Sequence, residues 1–252
     1  MGTVLRLPGL AINNPAAPIA LTEPFGVFGL SHRYEADSFA AVVSGTAVTP
    51  PWPDKATGGG TTVSSGTTKK GPLLQAYGSL DKFDSLDWAS AAGDVGVDSY
   101  PTGDATVVVV FGYTGSGAAK VFDLLGRKMV VGTSTWVVQP NDGSSGTGIQ
   151  YPFTSQPKPD ANQMAAAVVT LPADTTAACG LTLRTGGATS KASAVASIIT
   201  SVPPRLRIGP GSQGGSGNSP QIAAFGIWPR LLTDSEITGT VVPALRTRYG
   251  MQ

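Results

Sequence analysis

Charge, cysteine and histidine are all scarce in this 252-residue chain. Charged residues make up 13%, about half of what soluble domains usually carry. The 17 Lys and Arg against 16 Asp and Glu leave a net charge of +1, so there is no basic field of the kind that gives non-specific affinity for nucleic acid. A single cysteine, Cys179, excludes an intramolecular disulfide and any multi-cysteine zinc site. A single histidine, His32, excludes a multi-histidine metal cluster. Long apolar runs are missing too. The longest, Met164–Val169, is far short of a bilayer span. The opening Met1–Pro8 lacks a basic stretch followed by an apolar one, and Arg6 stands where a myristoylation signal needs Ser or Thr. The chain therefore reads as neither a secretory precursor nor a membrane protein.

Glycine and proline are abundant, at 33 and 20 residues, which disfavours long helices and coiled coils. Hydrophobic residues at 41% and four Trp supply enough apolar material for a core. Residues 1–26 carry four prolines among small apolar residues and read as an extended arm. The remainder, 27–252, reads as one domain with no internal repeat. Its β-branched runs predict strands at Gly26–Leu30, Phe39–Val43, Thr106–Tyr113, Ala118–Asp123, Lys128–Val131, Thr135–Val138, Met164–Thr170, Leu181–Thr185, Ala194–Ile199, Arg205–Ile208 and Ile222–Trp228. Glycine turns separate them, a pattern that indicates a β-sandwich, jelly roll or barrel. Only the C-terminus reads as helix. Thr233-Asp-Ser-Glu236 is a capping box, a break is expected near Gly239–Pro243, and Gly250 is a C-terminal stop.

Several motifs resemble chemistry and lack its essential parts. Gly209-Pro-Gly211-Ser-Gln-Gly214 has dinucleotide-loop spacing, but Gly215, Gly217 and Pro220 cannot open the helix that must hold the pyrophosphate. Gly112–Gly117 has P-loop glycines, yet alanines stand where Lys and Ser or Thr must meet phosphate and magnesium. A Ser-His-Asp triad would depend on His32 alone, and Cys179 has no basic neighbour in sequence to activate it. Glu35-Ala-Asp37 would project two carboxylates from one face of a strand, as in the E-x-D-x-x-E strand of jelly-roll glucanases, but Ala40 replaces the second glutamate. Two-carboxylate hydrolysis needs that partner, so no catalytic residue is assigned. Asp81, Asp84, Asp87, Asp94, Asp98 and Asp104 form an acidic stretch. A calcium site there, with Asp94, Asp98 and Asp104 as candidate ligands, stands beside the alternative of a solvated acidic rim.

The last thirty residues carry a resemblance. Pro220–Ile237 followed by Ala244-Leu-Arg-Thr-Arg-Tyr-Gly250 resembles the closing strand and helix of concanavalin A-like, laminin-G-type domains. Tyr34-Glu-Ala-Asp37, Trp52-Pro-Asp-Lys55, Gly58–Gly60 and Phe83-Asp-Ser-Leu-Asp-Trp88 look like earlier segments of that family, in the same order. Ser85 departs from the family's glycine. The resemblance implies an antiparallel jelly-roll sandwich with a short C-terminal helix packed on it, anchored by Leu231, Leu232 and Ile237.

This variant resembles lectin-like domains of bacteriophage virion proteins: tail fibres, spikes and capsid decorations. That resemblance implies a non-enzymatic structural or adhesion protein on an extracellular particle, made in the host cytoplasm. Its arm would contact other virion proteins and further copies of the chain, with a trimer as the oligomer that the family context implies. Contact with cell-surface polysaccharide is the expected ligand chemistry, with no nucleic acid, no membrane and no cofactor except calcium. Trp52, Tyr113, Trp136 and Tyr151 are candidates for stacking on sugar faces, each with core packing as the alternative. A carbohydrate-binding module of a bacterial surface protein, and a glycoside hydrolase, are the competing readings.

Overall fold

The computed structural model describes residues 4–7, 10–13, 25–48, 51–56, 62–64, 68–76, 82–88, 95–113, 119–131, 135–140, 149–152, 163–174, 176–185, 188–195, 206–209 and 220–251. Three long strands form its centre. Ala105–Tyr113 lies between Gln163–Leu171 and Pro220–Trp228, antiparallel to both. Valine and phenylalanine fill Val107–Phe111, all fully buried, as expected of a strand covered on both faces. Ala178–Thr185 and the edge strand Ala188–Val195 extend this sheet on one side. His32–Glu35, Thr68–Lys70 and Leu86–Trp88 extend it on the other. Among the described residues one short parallel pair, Leu74–Ala76 against Gln163–Leu171, departs from antiparallel order.

The second sheet contains Ala119–Leu124, Arg127–Val131, Thr135–Pro140, Ile149–Pro152, Leu206–Ile208, Val95–Val97 and Thr62–Ser64. Alternate residues of the two sheets meet between them, with Val107, Val109, Phe111, Phe122, Met129, Leu183, Phe225 and Ile227 in one cluster. The Phe122 and Phe225 rings join the layers edge to face at 5.8 Å. The fold is the expected antiparallel β-sandwich.

The large sheet's other face carries a second core. Val108, Val110, Ala166 and Trp228 pack there against Leu232, Ile237, Val241 and Leu245 of the C-terminal unit. Leu232 and Ile237 anchor as the sequence implies, and Leu231 stays half-exposed. Thr233 caps the helix: its hydroxyl accepts from Glu236 N at 3.2 Å, and Thr233 N donates to Glu236 Oε2 at 2.7 Å. The break expected near Gly239–Pro243 is instead a wider π turn, Ile237–Val241, leading directly into the helix Val242–Tyr249. A wide turn accommodates Pro243, which has no N–H to donate and crowds the carbonyl four residues back. Gly250 ends the helix in the left-handed conformation. No helix among the described residues is long and apolar enough to cross a membrane.

Two predicted strands are absent. Gly26–Leu30 is a series of bends whose Phe25 ring meets Trp228 edge on at 6.2 Å, while Trp228 Nε1 donates to Val27 O at 3.0 Å. Its apolar residues cover the outer core rather than pair in a sheet. Phe25, read from sequence as part of the arm, is fully buried and belongs to the domain. Phe39–Val43 is also not a strand: Ala36–Phe39 forms a 3-10 turn and the chain bends after it. In the arm, Val4–Leu7 and Leu10–Asn13 pair with each other antiparallel, Leu7 opposite Leu10. The arm is therefore a hairpin over these residues rather than a single extended run. Of the strand predicted at Ala194–Ile199, Ala194 and Val195 close the strand Ala188–Val195, and residues 196–199 lie outside the described residues.

Candidate functional site

The opening strand His32–Glu35 lies against Pro220–Trp228, with Tyr34 opposite Phe225 and Glu35 opposite Ala224. Alternation along a strand sends neighbouring side chains to opposite faces. Tyr34 enters the inter-sheet core, whereas Arg33 and Glu35 turn to the face on which the C-terminal helix packs. The Trp52-Pro-Asp-Lys55 turn clips onto this strand. Lys55 N donates to Arg33 O at 2.8 Å, and Asp54 Oδ1 accepts from Arg33 N at 2.9 Å and Ala56 N at 2.8 Å. The turn thus satisfies backbone groups that the sheet leaves free at Arg33. Burial and the adjacent Asp54 push the Tyr34 phenol far above its ordinary range.

Glu35 is the electrostatic centre of the region. Its side chain is 2% exposed, and both oxygens are held: Oε1 by Arg248 Nη2 at 2.7 Å, Oε2 by Arg33 Nη2 at 3.1 Å and Lys55 Nζ at 3.0 Å. Lys55 also reaches Asp37 Oδ1 at 2.5 Å. Although Asp37 lies on the 3-10 turn rather than on a strand, the two carboxylates of the Glu35-Ala-Asp37 motif are joined through one ammonium. Nearby, Lys70 pairs with Asp84 and donates to Phe39 O at 3.1 Å. Phe83 packs edge to face on Tyr249 at 5.2 Å. Burial raises the Tyr249 phenol, against the lowering effect of Arg248.

These groups surround a cavity of about 310 Å³ lined by Glu35, Asp37, Lys82, Phe83, Asp84, Ala223, Arg248 and Tyr249. Segments that the sequence presents separately, the Glu35–Asp37 motif, Phe83-Asp84 and the closing Arg248-Tyr249, therefore share one wall. Lys55 joins this wall through its pairs with Glu35 and Asp37. Lys82 and Lys70 carry no sequence signal for this place, since nothing local distinguishes them from solvated surface lysines.

The aromatic candidates for sugar stacking separate. Trp52 is 4% exposed and packs edge to face on Tyr34 at 6.5 Å and Phe39 at 6.4 Å, so it serves the core. Trp136 and Tyr151 are direct cross-strand partners in the smaller sheet, and Tyr113 stands opposite Pro220 at the end of its strand. The side chains of these three lie outside the described residues. Among the calcium candidates, Asp104 Oδ1 accepts from Ala173 N at 2.8 Å, Asp98 is exposed, and Asp94 lies outside the described residues. No group of three or more metal-ligating side chains occurs among the described residues.

His32 is 3% exposed. Its Nε2 lies 2.6 Å from Ser99 O, and its Nδ1 lies 2.9 Å from Ser31 Oγ. A backbone carbonyl can only accept, so Nε2 carries a proton, and no carboxylate among the described residues orients the ring as a triad requires. Cys179 is fully buried and outside any disulfide.

The same architecture occurs in solved structures. The receptor binding domain of botulinum neurotoxin type G matches with a TM-score of 0.54 at 9% identity, over 84% of this chain and 50% of that one. Trypanosoma rangeli sialidase in complex with sialic acid matches with a TM-score of 0.52 at 11% identity, over 100% of this chain and 37% of that one. The chain thus spans half or less of the length of these proteins. At such identities the likeness is one of fold, the antiparallel β-sandwich. No protein-family model matches the chain, and no curated protein matches it significantly.

Proposed function

We propose that this chain is a non-enzymatic, lectin-like binding module that contacts cell-surface glycans, displayed on a virion as part of a tail fibre, spike or capsid decoration. The observation that carries the non-enzymatic part is the state of the pocket carboxylates. Glu35 has both oxygens occupied by cations, and Asp37 and Asp84 each hold a lysine. A glycosidase of the two-carboxylate kind needs one carboxyl free to give a proton and another free to attack or activate water. Here Glu35 braces the opening strand against the terminal helix.

A sandwich shared with a receptor binding domain and with a sialidase that holds sialic acid supports recognition of glycans, and Trp136 and Tyr151, paired in register, remain stacking candidates. Resemblance of the Tyr34–Asp37, Trp52–Lys55 and Arg248–Gly250 motifs to phage lectin-like domains supports the virion setting. Assembly through residues 1–24, as a trimer, follows from that setting.

Two measurements test this reading. Glycan-array screening should find saccharide binding, with no reducing ends released from the bound glycans; turnover of any bound glycan would overturn the non-enzymatic assignment. Light scattering of the full chain, and of the chain lacking residues 1–24 but keeping the buried Phe25, should show an oligomer that falls to monomer. A monomer in both cases would remove the self-assembly role of the arm.

A further inference from the structure

We infer that the cavity between Lys82–Asp84 and the end of the C-terminal helix binds a single acidic sugar unit through its carboxylate, an inference that rests on the glycan-binding reading above and places its site. The argument begins with charge. Each carboxylate lining the cavity is already paired: Glu35 with Arg33, Lys55 and Arg248, Asp37 with that same Lys55, and Asp84 with Lys70. Lys82 also lines the cavity, is exposed, and has no hydrogen bond or ion pair among the described residues. It is therefore a surplus positive charge at the rim.

Arg248 adds directional donors. Its Nη2 is bound to Glu35 and its Nε donates to Tyr249 Oη at 3.2 Å, which leaves Nη1 without a partner among the described residues. Fixed by those two bonds, the guanidinium is preorganised and loses little freedom when Nη1 takes a carboxylate oxygen.

The rest of the cavity fits a sugar ring. Half-buried Phe83, held edge on by Tyr249, provides an aromatic wall for the C–H face of a pyranose. Asp37, a half-exposed lining residue, provides acceptor oxygens for ring hydroxyls. A volume of about 310 Å³ is at the lower end of ligand pockets, which suits one ring rather than an extended chain.

The test uses the full-length protein with D-glucuronate, D-glucose and acetate as probes, followed by calorimetry or by chemical-shift changes. Glucuronate and glucose differ only in a carboxylate for a hydroxymethyl group, and acetate carries the carboxylate without the ring. Glucuronate should bind, weakening as ionic strength rises, while glucose and acetate bind at least about tenfold more weakly. Lys82→Gln, on an exposed side chain whose loss should not disturb folding, should weaken glucuronate about tenfold, as the loss of a charge-assisted hydrogen bond does. Phe83→Leu should weaken glucuronate while leaving any acetate signal unchanged.

Equal binding of acetate would reduce the site to a simple anion hole and overturn the inference. So would glucuronate binding insensitive to Lys82→Gln, or failure of glucuronate to bind. If the glycan array finds only neutral sugars that Lys82→Gln leaves unaffected, this site is wrong while the glycan-binding function stands. If neither array nor probes show binding, both fall.

Discussion

Arg248 donates from Nη2 to Glu35 Oε1 at 2.7 Å, closing a contact across 213 positions of sequence. With Arg33 and Lys55 on the other carboxylate oxygen, this joins the domain's first strand to its last helix at a single buried group. A carboxylate removed from water so completely is tolerated only when its charge and lone pairs are matched.

Replacing Glu35 by Gln keeps the shape and removes the charge. It should leave three cations facing one another around a neutral amide and cost about 2–3 kcal/mol, below the full penalty for breaking a buried pair because the cations are partly exposed. Urea unfolding measures this. An unchanged midpoint would show that the cluster contributes nothing to stability.

Trp52 is buried in the core against Tyr34 and Phe39. Trp52→Ala should cost about 3–5 kcal/mol through the cavity left beside Tyr34 and Phe39, read as a fall in thermal midpoint. Full stability combined with lost glycan binding would instead return Trp52 to the ligand site.

Gly26 has φ +80, and a Cβ there would come within 2.9 Å of Thr240 Cγ2 and 3.0 Å of Thr240 O. Gly29, three residues on, has φ +94 with open space around it. Gly29→Ala should cost about 1 kcal/mol, the backbone term alone. Gly26→Ala should cost about 2–3 kcal/mol, because the new methyl must also push the terminal helix away. Equal losses would mean that the 25–30 segment does not depend on the helix.

The Glu236 carboxyl is held down to about 2, first by the Arg230 guanidinium and then by the Thr233 amide. Its folded value is below the ordinary 4.5, so its contribution is complete above about pH 4.5 and is lost as pH falls toward 2. Glu236→Gln preserves the capping box. It should be less stable than the parent at neutral pH by under about 1 kcal/mol, since the pair is partly exposed, and equal to it near pH 2. A difference independent of pH would remove the ionic part of this effect.

The sequence by itself determined the sandwich and its closing unit. Alternation and β-branching in Thr106–Tyr113, Met164–Thr170 and Ile222–Trp228 are local signals, and so are the Thr233–Glu236 box and the Gly250 stop; each is set by neighbours a few residues away. It did not determine the short strands Thr68–Lys70, Leu74–Ala76 and Lys82–Phe83, whose few residues carry no period and owe their pairing to the long strands beside them. Nor could it turn Gly26–Leu30 from strand to cover, because β-branching records a tendency to be buried without saying against what.

The pocket belongs to the tertiary structure for a related reason. Glu35, Lys55, Asp84 and Arg248 come from four distant segments, and a charge in sequence carries no record of its partner. Only the tertiary packing brings Lys55 and Arg248 within hydrogen-bonding distance of Glu35 and sets Asp84 in the lining of the same cavity, with Lys82 the lining cation that has no ion pair among the described residues.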